Sequence, residues 1–341
     1  MSISSKELAA KLGVSPSAVS IALNGKNGIS AETREMILKA ADSYGLHRPI
    51  RRANVPTQFI TLVIYKKHGL VYGDTAFFSS VVEGITTRIN RLGYNLQISY
   101  FYGNQDYEEQ IRLLRGADCA GIILLATEML REDILPFLDI SHPMVVLDSY
   151  FEDLDLDCVV INNIRGAYLA TRHLLECGHR RIGHIASSVA INNFTERAEG
   201  FQKAAAEYPD CSTMTVQVSS TQEGAYHDMS AYLNTNPQLP TAFFADNDII
   251  AASCMRALKE HGYRLPDDIS FVGFDDMPLS YVVSPKLTTI QVAKELFGKR
   301  AVTRLAEKIQ EQDGISLRIS INPSLVVRNS TKSISASSRL I

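Results

Sequence analysis

The stretch at residues 14–25 reads VSPSAVSIALNG and carries the signals for both ends of a short helix. Ser15 offers a side-chain oxygen as a helix N-cap, and Pro16 follows at the first helical position, where its missing N–H leaves no hydrogen bond unmade. Asn24 and Gly25 adopt the left-handed conformation that ends helices more readily than other residues do. The side chains predicted to face inward from this helix are Val19, Ala22 and Leu23.

Two further helical patterns flank this segment. The first is the apolar stripe of Leu8, Ala9 and Leu12. Ser30 is placed to cap another helix, which we expect to end at Gly45. The positions that recur at helical spacing within it are Thr33, Ile37, Ala40, Ala41 and Tyr44. Residues 1–45 are therefore predicted to form a small all-α headpiece with a helix-turn-helix.

Charge is distributed unevenly along the chain. Residues 1–53 contain eight Lys and Arg and four Asp and Glu, a net charge of +4, whereas the whole chain carries −3, which leaves −7 for the remaining 288 residues. Residues 46–58 hold Pro49, Pro56, Arg51 and Arg52 but few apolar side chains, and are predicted to be a linker. A basic head on an acidic body favours contact between the head and nucleic acid.

A different pattern begins at residue 59 and continues to about residue 330. Short β-branched or aliphatic runs alternate there with amphipathic helical stretches, as in doubly wound α/β proteins. The predicted strands are 59–65, 94–100, 121–125, 144–148, 181–186, 241–245 and 269–273, and the clearest predicted helices are 77–91, 165–177, 195–207 and 248–261. Because this many strands do not fit one compact sheet, we predict two Rossmann-like lobes in residues 59–330 and a flexible tail at residues 331–341.

Composition excludes several classes of protein. Hydrophobic residues make up 45% and charged residues 21%, and no apolar run approaches the roughly 20 residues that span a bilayer. The first residues show neither the charged leader nor the apolar stretch of a secretory signal, so we expect a cytoplasmic protein with no membrane contact. Five cysteines that are never spaced as Cys-x-x-Cys indicate structural thiols, and no metal or cofactor is expected.

Several segments resemble the lactose-repressor (LacI/GalR) family of transcriptional regulators. VSPSAVSIALNG at 14–25 and ISAETR at 29–34 are similar to its DNA-binding headpiece. In the body the similar segments, in family order, are GHRRIG at 178–183, RAEGF at 197–201, ADND at 245–248, LP at 265–266, VGFDD at 272–276 and LTTI at 287–290. The resemblance implies a periplasmic-binding-protein-like body, a homodimer, a pseudo-palindromic operator and a small effector that changes DNA affinity.

The resemblance also places the DNA contacts. Pro16, Ser17 and Ile21 match base-reading positions, whereas Ser15, Ser20 and Asn24 match phosphate contacts. Pro16 and Ile21 cannot donate side-chain hydrogen bonds, so direct readout of bases is expected to be sparse. The linker lacks the family's Ala-Arg-x-Leu hinge helix, although Arg51 and Arg52 can still hold phosphates or a narrow minor groove. The alternatives are a small protein-interaction domain and a merely solvated linker.

The crevice between the lobes is the expected effector site, because doubly wound sheets bind ligands at the carboxyl ends of their strands. A sugar needs rigid hydrogen-bonding groups for its hydroxyls and an apolar wall for its ring. The candidates, each of which also matches a family position at or near the ligand, are Phe77, Asp148, Arg197, Asn247, Asp248 and Asp275. Structural roles compete with this interpretation: Asp248 can cap a helix, Arg197 can pair with an acid, and Phe77 can belong to the core.

Two other functions compete with this interpretation. An enzyme would use Asp275 and Asp276 as paired carboxylates, or Asp246 and Asp248 at a metal site, but adjacent acids on an extended strand point to opposite faces. No phosphate loop or nucleophile elbow is present in the sequence, so catalysis is not expected. The stronger alternative is a sugar-binding module without sequence-specific DNA binding. The expected function is a DNA-binding repressor controlled by a sugar or sugar derivative.

Overall fold

A computed structural model describes residues 5–23, 28–44, 58–71, 76–311 and 314–334 of the chain. The chain divides into two compact units, Met1–Thr57 and Gln58–Ile341, here called the headpiece and the body. None of the helices within these ranges is both long and apolar enough to cross a membrane.

The headpiece has the three helices that the sequence predicts. They are α1 (Ser5–Leu12), α2 (Pro16–Leu23) and α3 (Ala31–Ser43). Ser15 Oγ accepts a hydrogen bond from the Ala18 N–H at 3.1 Å, and Ser30 Oγ accepts one from the Thr33 N–H at 3.1 Å, so both predicted N-caps are confirmed. The buried core of this unit consists of Leu8, Ala9, Val19, Ala22, Leu23, Ile37 and Ala41. Residues 24–27 and 45–57 lie outside the described part of the chain.

The body contains two lobes, each built on one sheet. Lobe 1 comprises β1 (Phe59–Lys66), α4 (Ala76–Leu92), β2 (Asn95–Tyr102), α5 (Tyr107–Arg115), β3 (Gly121–Leu125), α6 (Arg131–Ile134) with a 3-10 turn (Leu135–Asp139), β4 (Met144–Leu147) and β5 (Cys158–Ile161). Lobe 2 comprises α7 (Asn163–Glu176), β6 (Arg181–Ser187), α8 (Asn192–Ala206), β7 (Ser212–Val218), α9 (Gln222–Leu233), β8 (Ala242–Ala245), α10 (Asp248–Glu260), β9 (Ser270–Asp275), α11 (Leu279–Val282) and β10 (Thr288–Gln291). The predicted alternation of strands and helices is confirmed.

The chain then returns to complete both lobes. It crosses to lobe 1 for α12 (Lys294–Glu311) and β11 (Arg318–Ile321) and back to lobe 2 for β12 (Ser324–Val326). The sheets, within the described ranges, run β11-β5-β4-β3-β1-β2 and β12-β10-β9-β8-β6-β7, and all pairs are parallel except β10 with β12. The connection from β5 to α7 and the connection from β11 to β12, which both pass between the lobes, are joined directly, since Asn162 Nδ2 donates to Asn322 Oδ1 at 2.9 Å. Each lobe is thus formed from non-contiguous segments.

Helices α4 and α12 pack closely enough to require glycine at the contact. A Cβ atom on Gly84 would lie 2.2 Å from the Glu295 carbonyl oxygen, and one on Gly298 would lie 2.3 Å from the Val81 carbonyl oxygen. No side chain fits those distances, so this pair of glycines sets how close α12 comes to α4. The returning helix is thereby seated firmly in lobe 1.

The C-terminal segment differs from the expected flexible tail. Ser330 is buried, and its Oγ donates to the Phe271 carbonyl at 2.6 Å. Beyond it, the Ile334 N–H donates to the Cys177 carbonyl at 2.8 Å, and the Lys332 carbonyl lies 3.2 Å from His179 Nε2. The prediction is wrong for residues 331–334, because their backbone groups bond to the body, whereas residues 335–341 lie outside the described ranges.

Candidate effector site and nucleic-acid interface

A cleft lies where the carboxyl ends of the strands of the two lobes meet. Its volume is about 270 Å³. The apolar part of its lining includes Leu70, Val71, Phe77, Ile191, Phe194 and Met277. Five of the six predicted effector residues line it, namely Phe77, Asp148, Arg197, Asn247 and Asp275. The strand-end rule therefore located the cleft correctly.

Arg197 is held from several sides at the centre of the polar wall. It lies on α8 and is buried, with its Nε donating to Asn163 Oδ1 at 3.0 Å and its Nη1 donating to the Asp246 carbonyl. The guanidinium carbon lies 3.7 Å from the centroid of the Phe274 ring, a stacking distance at which the cation is attracted to the ring face. These contacts fix the guanidinium before any ligand arrives.

Asp148 presents a carboxylate from lobe 1. It follows β4 with a φ of 71°, and its Oδ2 accepts a hydrogen bond from Thr127 Oγ1 at 2.7 Å. Among the described residues, its buried Oδ1 has no hydrogen-bond partner. Burial raises the pKa of Asp148 to about 6, although the hydrogen bond from Thr127 and, next, the charge of Arg197 lower it. The side chain thus keeps an acceptor oxygen for the cleft.

Asp275 presents the matching carboxylate from lobe 2. It ends β9 with a φ of 104°, and its Oδ1 lies 3.5 Å from Arg197 Nη2. This is an ion-pair distance without hydrogen-bond geometry, since the same oxygen is buried and has no hydrogen-bond partner in the described part of the chain. Lys294 Nζ donates to the backbone carbonyl of Asp275. Burial raises the pKa of Asp275 against the opposing charges of Arg197 and Lys294.

Asn247 and Phe77 complete the predicted set. Asn247 is the N-cap of α10, where its Oδ1 accepts from the Ile250 N–H at 2.8 Å, so the amide nitrogen remains the group available for a ligand. Phe77 lies in the first turn of α4 and packs edge to face against Phe78, with ring centroids 5.1 Å apart. Both residues border the cleft.

Asp248 does not line the cleft, so its prediction as an effector contact is corrected. Its carboxylate is fully buried and accepts from the Met277 N–H at 2.7 Å, Ser280 Oγ at 2.6 Å and Thr289 Oγ1 at 2.5 Å. Burial, then the charge of Asp275, raises the pKa of Asp248 to about 7. As the first residue of α10, Asp248 points beneath the sheet end rather than into the crevice, and it supports the turn after Asp275.

The acids that an enzyme would use as a pair are separated. Asp276 has a φ of 50° and bonds to Arg328 at 2.5 Å, away from the Asp275 carboxylate. Asp246 is buried and lies 2.7 Å from His184 Nε2, whereas Asp248 faces the turn after β9. Neither pair shares a reacting atom or a common ion position.

Five polar residues of the described lining are not among the predicted set: Thr127, Asn193, Ser220, Thr221 and Gln222. Each follows the carboxyl end of a parallel strand: Thr127 comes after β3, Asn193 lies in the first turn of α8 after β6, and residues 220–222 come after β7. Applying the strand-end rule to every strand would have found them.

The exposed face of α2 is the candidate nucleic-acid interface. Ser15, Pro16, Ser17 and Ser20 are exposed, and Ile21 is half-buried. Ser15 Oγ already caps α2 and lies 2.9 Å from Ser17 Oγ, so its contact with a phosphate would be made in addition to the cap. The other predicted DNA contacts, Asn24, Arg51 and Arg52, lie outside the described residues.

Comparison with curated proteins gives relatives along nearly the whole chain. The HTH-type transcriptional repressor PurR of Haemophilus influenzae strain PittEE is 31% identical over an alignment of 346 positions, gaps included, that covers 96% of this chain and 98% of that protein. PurR of Pasteurella multocida is 30% identical over an alignment of 340 positions with the same coverage. Both are described as transcriptional repressors.

Solved structures and a family model agree with these relatives. The transcriptional regulator CelR in complex with cellobiose matches with a TM-score of 0.72 and 25% identity over 96% of this chain and 99% of that one. A LacI-family regulator from Enterococcus faecium with bound ribose matches with a TM-score of 0.69 and 25% identity over 81% of this chain and 100% of that one. The lac repressor dimer bound to operator, at 24% identity and a TM-score of 0.72 over 97% of this chain and 100% of that one, shares the fold. A periplasmic binding protein-like domain matches residues 171–331. The chain belongs to the LacI/GalR family of transcriptional regulators.

Proposed function

We propose that this protein is a repressor whose affinity for a pseudo-palindromic operator is controlled by a small, neutral sugar bound in the cleft. The observation that carries the proposal is a pair of buried carboxylate oxygens, Asp148 Oδ1 from lobe 1 and Asp275 Oδ1 from lobe 2, which have no hydrogen-bond partner among the described residues. Arg197 is a fixed cation that acts on both acids: its Nη2 lies 3.5 Å from Asp275 Oδ1, and its charge lowers the pKa of Asp148. A ligand that donates hydrogen bonds to both oxygens satisfies both lobes at once.

A sugar has the chemistry that this lining requires. Its hydroxyls donate to carboxylates and accept from a guanidinium or an amide, and Arg197 and Asn247 supply those donors. The C–H face of its ring can pack against Phe77 or Phe194 in the apolar part of the lining. The ribose and cellobiose bound to the two similar regulators support a carbohydrate here.

The volume and the charge of the cleft narrow the class of ligand further. A volume of about 270 Å³ lies just below the usual range of roughly 300–1,000 Å³ for ligand pockets, which favours a single sugar ring. Among the described residues of the lining, the two carboxylates of Asp148 and Asp275 outnumber the single guanidinium of Arg197. A phosphate or carboxylate on the ligand would meet like charge in a desolvated site, so neutral sugars are preferred over sugar phosphates.

Closure of the lobes is the step through which the ligand acts. In this structure Asn192 of lobe 2 donates to Ser149 Oγ of lobe 1 at 2.9 Å, next to Asp148. A ligand bound by both Asp148 and Asp275 adds free energy to the closed arrangement and shifts the population of states that differ in DNA affinity. Whether the ligand weakens or strengthens DNA binding depends on which of these states binds the operator.

We also propose that the protein acts as a homodimer in the cytoplasm, where chromosomal DNA is found. Exposed apolar side chains support a second copy as the partner of the body. On the edge strand β2, Ile98 and Tyr100 are exposed, and on α11, Tyr281 and Val282 are 54% and 83% exposed. A dimer would pair two α2 helices with two half-sites of the operator.

DNA footprinting of the full-length protein tests the proposal. Fragments from its own promoter region would be incubated at several salt concentrations with and without a panel of monosaccharides. We expect a protected site with half-sites about one helical turn apart, altered by one sugar. The Asp275→Asn variant serves as control, because it should occupy the same site and respond less to that sugar. Weak binding that is uniform across sequences and blind to every sugar would contradict the repressor and leave the DNA-independent sugar-binding module.

A further inference from the structure

We propose that Glu128 is a positioning residue that holds one wall of the effector cleft in place from behind. Glu128 is fully buried in the loop that follows β3. It does not line the cleft, whereas residues 69–71, in the loop that its carboxylate binds, do. The consequence for ligand affinity rests on the proposed function, but the structural role can be tested without a ligand.

The carboxylate of Glu128 collects backbone N–H groups from a single loop. Its Oε2 accepts from Lys67 at 2.9 Å, His68 at 3.1 Å and Gly69 at 2.9 Å, and its Oε1 accepts from Val71 at 2.9 Å. The His68 ring adds a contact, with Nδ1 lying 3.3 Å from Oε1. Both carboxylate oxygens are therefore occupied by the segment 67–71.

Successive N–H groups that converge on one point form a concave site that favours an anion. Gly69 makes this geometry possible, since its φ of 72° turns the backbone through the left-handed region. In this protein the anion is supplied by the chain itself. A buried carboxylate is costly unless its oxygens are hydrogen-bonded, and charge-assisted bonds to N–H groups are about twice as strong as neutral ones. The loop and the acid thus hold each other in one conformation.

Adjacent residues of the β3 loop support two neighbouring parts of the cleft. Thr127 donates to Asp148 Oδ2 at 2.7 Å, and Glu128 holds the loop that carries Leu70 and Val71. A change in the Glu128 carboxylate should therefore displace the apolar wall and leave the polar centre at Arg197 intact. This separates a positioning role from direct contact with the ligand.

Hydrogen exchange of the full-length protein without ligand is the first test. In Glu128→Gln one oxygen is replaced by an NH2 group that cannot accept from the loop, and we expect amides in residues 67–71 to exchange at least about tenfold faster than in the wild type. Asp157→Asn is the matched control, because Asp157 is also a buried lobe 1 carboxylate, bonded to Arg304 at 2.5 Å and Lys308 at 2.5 Å. Unchanged exchange in Glu128→Gln, or an equal rise in Asp157→Asn, would overturn the proposal.

A shorter side chain guards against failure of the glutamine variant to fold. Glu128→Asp keeps the charge but withdraws it by one methylene group, so exchange in residues 67–71 should rise less than in Glu128→Gln and remain above that of the wild type. Exchange at the wild-type rate in the aspartate variant, should that be the only folded one, would also overturn the role of Glu128.

Calorimetric titration with D-ribose and D-glucose is the second test. If either sugar binds the wild type, its Kd should rise about tenfold in Glu128→Gln and stay unchanged in Asp157→Asn, and equal Kd values for Glu128→Gln and wild type would contradict the positioning role. If neither sugar nor any other monosaccharide binds the wild type, the proposed effector class fails, while the exchange result still decides the role of Glu128.

Discussion

Lobe 1 and lobe 2 place an aspartate at the same point of their topology and support it differently. β4 and β9 are the third strands of their sheets, and each leads to an acid with positive φ, Asp148 and Asp275. Asp148 is bonded within its own lobe by Thr127, whereas Asp275 lies beside Arg197 and has its backbone carbonyl held by Lys294. Equivalent positions in two similar folds therefore carry unequal charge environments.

The difference indicates an order of assembly. Arg197 is fixed by Asn163, the Asp246 carbonyl and the Phe274 ring, which all belong to lobe 2. Lobe 2 thus fixes the cation with its own residues, whereas the backbone carbonyl of Asp275 is held by Lys294, the first residue of α12 in lobe 1. Lobe 1 contributes an acceptor whose charge is costly, so its interaction with a ligand is gained on closure.

Loss of the lobe 2 cation should have the largest effect. In Arg197→Met the buried carboxylates of Asp148 and Asp275 lose their common cation, and the ligand loses a charged hydrogen-bond donor, so we expect sugar affinity to fall by more than about 100-fold. The free energy of unfolding should also fall, by roughly the 3–5 kcal/mol that removal of one member of a buried ion pair costs. Calorimetric titration and thermal unfolding would measure the change. Arg197→Lys keeps the positive charge but not the two-pronged guanidinium, so its sugar affinity should lie between those of the wild type and Arg197→Met. Equal affinity in all three proteins would contradict the central role of Arg197.

Neutralising the two aspartates one at a time tests the asymmetry directly. Asp275→Asn should weaken sugar binding by about 10- to 100-fold, and Asp148→Asn by about tenfold, because each removes a charged acceptor. Both variants should also raise the free energy of unfolding at pH 7.5, because burial raises the pKa of both carboxyls and the charged form therefore opposes folding. For Asp148→Asn, whose pKa is raised from 3.8 to about 6, we expect about 1–3 kcal/mol. Identical effects of both variants on affinity and stability would show that the lobes are equivalent.

The pH dependence follows from the same raised pKa. The destabilisation by Asp148 is fully present above about pH 6 and disappears as the pH falls toward 4, where the carboxyl is protonated in the folded and the unfolded chain. The stability advantage of Asp148→Asn should therefore shrink between pH 7 and pH 4. Sugar affinity of the wild type should decrease about three- to tenfold from pH 7.5 to pH 5.5, and less so in Asp148→Asn. Parallel curves for both proteins would exclude Asp148 as the titrating group.

The smallest effect on sugar affinity is expected from loss of the hydrogen bond between Thr127 and Asp148 within lobe 1. Thr127→Val removes the hydrogen bond to Asp148 Oδ2 at nearly constant volume, so the pKa of Asp148 should rise further and sugar affinity at pH 7.5 should fall by about threefold, which corresponds to roughly 0.6 kcal/mol. Titration of the binding constant against pH would measure both changes. A variant with wild-type affinity and an unshifted pH profile would show that Thr127 contributes nothing to the site.

Local pattern was sufficient for those site residues that stand directly after strands. Asp148 and Asp275 follow hydrophobic runs, and the carboxyl ends of parallel strands converge in space whatever the packing details, so the sequence predicts that both face the cleft, and both line it. Asp248 lies equally near a strand end, but its prediction as an effector contact is wrong. A side chain in the first turn of a helix can point in several directions, and only the contacts with Met277 and Thr289 show which direction Asp248 takes. Glu128 carried no signal, since its partners are backbone groups about sixty positions earlier.

The sequence by itself determined the helical headpiece, the alternating α/β body and the location of the cleft, because hydrophobic periodicity and helix caps act between residues a few positions apart. It also determined the family, through motifs that are contiguous in the chain. Only the tertiary structure decided that residues 331–334 pack on the body, that Asp248 lies beneath the cleft, and that Glu128 holds its wall. Those features depend on contacts between distant segments, and the direction of a buried side chain is set by the partners that satisfy it.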